Sequence, residues 1–71
     1  MTRLSQFVKA RRHQLNLTQE ELADKAGVAL TVIRKIEQGK DNLNVSSVNQ
    51  VLLMFGHELG PTPTQHETGN R

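Results

Sequence analysis

Leu30, Thr31, Arg34 and Lys35 fall on one side of a helical wheel, while Val28, Val32, Ile33 and Ile36 fall on the other. A hydroxyl, a guanidinium and an ammonium on one face supply donors and positive charge, chemistry that suits phosphates and the acceptor-rich edges of bases. The rest of the chain offers no rival reaction centre. His13, His57 and His66 have no partner at i+3 or i+4, and the sequence holds 0 cysteines, so no metal site is expected. Glu20 and Glu21 are adjacent and point about 100° apart on a helix, the wrong geometry for a shared acid–base pair. Neither a phosphate-cradling glycine loop nor a nucleophile elbow occurs, which predicts a binding protein without a cofactor and not an enzyme.

The elements that must carry this face can be read from caps and stripes. Thr18 followed by Glu21 is a capping box, so a helix starts there, buries Leu22, Ala23 and Ala26, and ends at Gly27, which tolerates positive φ. Only a few residues separate it from the helix carrying Arg34, which Gly39 closes. That spacing specifies a helix-turn-helix with steeply crossed helices, a form suited to duplex DNA. Before it, Leu4 to Gln14 reads as a first helix with Leu4, Phe7, Val8 and Leu15 on one face and Asn16 in the αL position. After it, Lys40 to Asn44 reads as a loop with Asn44 as N-cap. Val45, Val48, Val51, Leu52 and Phe55 then form the stripe of a fourth helix ended by Gly56.

The chain of 71 residues is long enough for one small all-α domain over residues 1–60, followed by a polar tail over 61–71 whose ordering entropy no apolar burial offsets. A core this small wants a disulfide, a metal or a partner subunit, and the lack of cysteine leaves the last. Leu53 lies nearly opposite the stripe of the fourth helix and Met54 on its flank, so both are expected at a homodimer interface, joined by His57 and Leu59 in a short extended segment that Gly60 and Pro61 limit. The net charge is only +2, but it is lopsided: Arg3, Lys9, Arg11 and Arg12 crowd residues 3–14 with no acid among them, while Glu20, Glu21 and Asp24 cluster in the next helix. The start of the chain is unlike a secretory signal and no apolar run approaches about 20 residues, so a cytoplasmic protein with no membrane partner is expected.

Leu17-Thr-Gln-Glu-Glu-Leu-Ala, Lys25-Ala-Gly-Val and Ile36-Glu-Gln-Gly-Lys stand in the order and spacing of the phage-repressor and XRE-type helix-turn-helix family, which residues 7–56 resemble without insertion. The resemblance implies a compact four-helix domain like that of lambda repressor and a sequence-specific DNA-binding repressor. The end of the domain, where Val48 to Gly56 is followed by a possible strand and not a fifth helix, looks like the branch of HipB-type antitoxin repressors. That branch implies a homodimer joined partly by C-terminal strands, a HipA-like kinase toxin as partner, and repression of the pair's own operon.

Position by position, the family pattern implies base contacts in the major groove from Ala29, Leu30, Thr31, Arg34 and Lys35. Ala29 and Leu30 depart from the polar residues usual there; they cannot hydrogen-bond a base but can pack against thymine methyl groups, which leaves polar readout, at guanine O6 or N7, to Arg34 and Lys35. Phosphate contacts are expected from Thr18 and Gln19 at the positive end of the second helix, and from Arg11, Lys40, Asn42 and Asn44. Arg12 and Glu37 match an ion pair that fixes the first helix against the third. Each subunit of the homodimer would meet one half of an inverted repeat in double-stranded DNA. The alternatives are a phage-type repressor or restriction-modification controller without a toxin, and a protein-interaction adaptor that buries Leu30 and Val32 in a partner and binds no DNA.

Overall fold

The computed structural model describes residues 2–61, which form four helices: α1 (Thr2–Gln14), α2 (Gln19–Ala26), α3 (Leu30–Glu37) and α4 (Val45–Leu53). The tail expected over 61–71 lies, apart from Pro61, outside the described residues. There is no strand among the described residues, and α1 starts two residues earlier than its apolar spacing implied.

Each helix ends in the same local device. After α2, Gly27 adopts φ 73°, its N–H meets Asp24 O at 3.3 Å, and the N–H of Val28 returns to Ala23 O at 3.0 Å. This Schellman pair satisfies carbonyls that the helix leaves unpaired. The same two bonds follow α1 at Asn16 (φ 57°), α3 at Gly39 and α4 at Gly56. The starts are capped where sequence provided the groups. Glu21 N–H donates to Thr18 Oγ1 at 3.0 Å while Thr18 N–H donates to Glu21 Oε1 at 2.8 Å, and Ser47 N–H donates to Asn44 Oδ1 at 3.2 Å.

Helix α3 is the central element, packing on α1, α2 and α4. Ile33 and Ile36 meet Val8 from α1, Leu22, Ala23 and Ala26 from α2, and Val48, Val51 and Leu52 from α4, all buried in one cluster. Full burial of each large aliphatic side chain contributes about 1.5–3 kcal/mol, so the position of α3 is secured chiefly by its inner face.

Several apolar residues depart from their expected places. Leu15 is 53% exposed because it follows α1 in the turn that leads to αL at Asn16, off the line of the α1 stripe. Val45 is 60% exposed, since it occupies the first turn of α4, beyond the edge of the core that begins at Val48. Met54 and Leu59 are half-buried against the protomer's own core, whereas the sequence places them without an intramolecular partner. Met54 follows the last residue of α4, where a straight helical projection ceases to apply. Leu59 is drawn in by its backbone, whose N–H donates to Asn49 Oδ1 at 2.8 Å. Residues 57–61 form no strand within the protomer. Leu53 is 64% exposed, as its position on the wheel required.

Candidate nucleic-acid interface

Thr31, Arg34 and Lys35 are exposed on α3, the side of the helix away from Ile33 and Ile36. Arg34 and Lys35 find no ion-pair or hydrogen-bond partner among the described residues, so their donors face solvent. Ala29 is exposed at the N-cap of α3 and makes no side-chain cap bond. Leu30 differs from the expectation that it stands outside with them: it is half-buried and rests against the core, because the first turn of α3 leans on α2.

Arg12 and Glu37 form the fork that holds this face. Arg12 Nε donates to Glu37 Oε2 at 2.7 Å and Nη2 to Oε1 at 3.0 Å, while Nη1 donates to Leu17 O at 2.9 Å. The Glu37 side chain is 3% exposed and that of Arg12 13%. A carboxylate buried at the negative pole of α3 is disfavoured twice, by desolvation and by the helix dipole, and bidentate pairing with a guanidinium answers both. Burial pushes the Glu37 carboxyl up, but the hydrogen bonds from Arg12 and Gln19 and the charges of Arg12 and Lys9 outweigh it and hold the group below its usual value. The bond to Glu37 raises Arg12 in turn, against the effect of its own burial.

Gln19 joins the fork in a way that sequence spacing did not reveal. Its Nε2 donates to Glu37 Oε1 at 3.1 Å, linking the first turn of α2 to the last turn of α3. A side-chain amide nitrogen carries two protons, so one can be held by Glu37 while the other remains for an anion. The signal was present only as a pair 18 residues apart, which no local motif encodes.

Arg12, Thr18, Gln19, Glu20, Leu30 and Arg34 line one open cleft of about 460 Å³ between the start of α2 and the outer face of α3. Its size is that of a small-molecule pocket, but it is open to solvent and lined largely by polar groups, unlike the enclosed apolar sites that hold ligands. Glu20, read from sequence only as a helix-start carboxylate, is therefore part of the surface that faces Arg34. Lys40 and Asn42 are exposed in the loop after α3, and the Asn44 oxygen is occupied in capping α4; none of the three lines the cleft. Arg11 is elsewhere too. Its guanidinium lies 5.3 Å from the centre of the Phe7 ring, and Nη1 reaches Gln14 Oε1 at 3.4 Å.

His57 likewise has intramolecular partners. Its ring lies 4.8 Å from Phe7, its Nδ1 is 2.7 Å from Phe55 O, and Phe7 meets Phe55 edge-on at 6.0 Å. Among the described residues no group of three histidine, cysteine or acidic side chains could hold a metal, and no helix is long and apolar enough to cross a membrane. His66 lies outside the described residues.

Residues 8–56 match the family of Helix-turn-helix domains. The chain belongs to the XRE-type helix-turn-helix family. No curated protein matches it, and no solved structure does. The matched segment runs from the buried Val8 to the αL glycine after α4, and it contains both partners of the fork and the whole cleft. The protein is thus a sequence-specific DNA-binding regulator, in a family of regulatory domains and not of enzymes.

Proposed function

We propose that this helix-turn-helix protein is a cytoplasmic homodimeric repressor that lays α3 of each subunit into the major groove of an inverted-repeat operator. The observation that carries the reading is the outward face of α3, where Thr31, Arg34 and Lys35 are exposed together and the two cations are unspent. In this reading Arg34 and Lys35 reach guanine O6 or N7, and Ala29, Leu30 and Thr31 complete the base-reading surface. Thr18 and Gln19 hold a phosphate at the positive end of α2, where the amides of Gln19 and Glu20 have no backbone partner, and Lys40, Asn42, Asn44 and Arg11 serve the flanking backbone. Leu53, 64% exposed, is the apolar residue that a second subunit covers, with His57 at its margin. Half-sites then lie about 34 Å apart, one turn of B-DNA. The resemblance of the chain's end to HipB-type repressors supports an antitoxin role, with a HipA-like kinase toxin as partner and the shared operon as target.

Selection of a binding site from random duplexes, followed by titration at several salt concentrations, tests this. An inverted repeat should emerge, with affinity falling steeply as salt rises, and Arg34→Ala should flatten the preference at one position of each half-site by about ten-fold or more. A chain that selects no sequence, or whose binding ignores salt, would sink the repressor reading. The toxin partner is tested separately: purification from the native host should recover a kinase-like protein with it, whereas a repressor recovered alone would be of the phage or controller kind.

A further inference from the structure

Leu30 and Arg34 stand one helical turn apart on α3 and line the same cleft. Leu30 is half-buried against the core, so its place is fixed, and it carries neither donor nor acceptor. In the major groove only one feature rewards an aliphatic side chain at the base edge, the methyl group on C5 of a pyrimidine. Arg34 is exposed and unpaired among the described residues, and its planar fork matches the O6 and N7 acceptors of guanine. The four-residue spacing advances about 6 Å along the helix, and the reach of an arginine side chain brings the two contacts onto neighbouring base pairs.

We propose that Leu30 and Arg34 together read one step of the operator, a pyrimidine bearing a C5 methyl next to a guanine, so that 5-methylcytosine is accepted there and cytosine methylation strengthens binding. This rests on the DNA-reading role of α3 given above and adds the chemistry of one position. It makes the protein responsive to the modification state of its DNA, because the methyl is what Leu30 detects.

The test uses the full chain and duplexes built on its selected site, with each pyrimidine that flanks a guanine replaced in turn. At one such position per half-site, thymine should bind about four-fold tighter than uracil, and 5-methylcytosine about four-fold tighter than cytosine, the worth of one buried methyl-sized group. Both differences should vanish in Leu30→Gln, and Arg34→Ala should abolish the preference for the neighbouring guanine while leaving the methyl effect. Because Leu30 also packs on the core, the folding of each variant is followed by circular dichroism, and the uracil and cytosine substitutions read the wild-type protein alone. Absence of a methyl effect at every flanking pyrimidine in either pair, or its persistence in folded Leu30→Gln, overturns the proposal. Failure to select any sequence overturns the DNA-reading role itself.

Discussion

Glu37 is the residue on which most of the site's geometry converges: it is buried, charged, and held by Arg12 and Gln19 from two other helices. Arg12→Ala leaves that carboxylate without its main partner. The loss is expected to be about 3 kcal/mol, toward the lower end for broken buried pairs because Arg12 keeps some solvent contact. Urea denaturation at neutral pH would read this, and a change below 1 kcal/mol would mean that water replaces the guanidinium without cost. The pair also has a pH signature. Folding holds the Glu37 carboxyl below its usual value, so its stabilising contribution is complete above the carboxylate range of the unfolded chain and is lost as pH falls through the folded value. The stabilities of wild type and Glu37→Gln should therefore differ most at neutral pH and converge in acid; parallel curves down to acid denaturation would contradict this assignment. Arg12 and Glu37 were legible as partners because both stand at family positions. The Gln19 bond was not, since it depends on how α2 lies across the end of α3, and spacing along the chain does not carry that angle.

At the scale of elements, nearly every helix boundary was readable, because caps and terminators act over three to five residues. Thr18 with Glu21, Asn44, and the αL positions Asn16, Gly27, Gly39 and Gly56 all take the local roles their types imply. Gly27→Ala should lower stability by about 1–2 kcal/mol for the left-handed backbone alone, as the added methyl would meet only Gln50 Nε2 at 3.7 Å, an ordinary contact. Asn44→Ala should cost about 1 kcal/mol by uncapping α4, whereas Val45→Ser, one residue later, should change stability by less than about 0.5 kcal/mol. Thermal melting of the pair compares a residue that sequence patterning ranks as core with one it ranks as loop. Equal losses would mean that Val45 is covered in solution. What the pattern misjudged was at the ends of stripes, at Leu15, Val45 and Met54. There helical periodicity continues on paper after the backbone has left the helix or before the core begins.

For the whole molecule, the homodimer proposed above rests on the small core and the exposed Leu53. Leu53→Glu should leave the fold intact, since the side chain is solvent-facing, yet produce monomers by analytical ultracentrifugation and reduce affinity for a two-half-site duplex by about 100-fold or more as bivalent engagement is lost. An unchanged sedimentation coefficient with unchanged affinity would move the subunit contact elsewhere. Met54 and Leu59, expected at that contact from sequence, also pack in part against the protomer's own core, a placement that only the path of residues 54–59 reveals.

Because one guanidinium ties α1 to the loop at Leu17 and to the end of α3, and one amide ties α2 to the same carboxylate, three helices are fastened at a single point. In the repressor reading proposed above, the free protein therefore already holds the shape in which it docks. Its encounter with the operator should be a diffusional event sped by charge, with little waiting for rearrangement, so lowering the salt should quicken capture far more than it slows release.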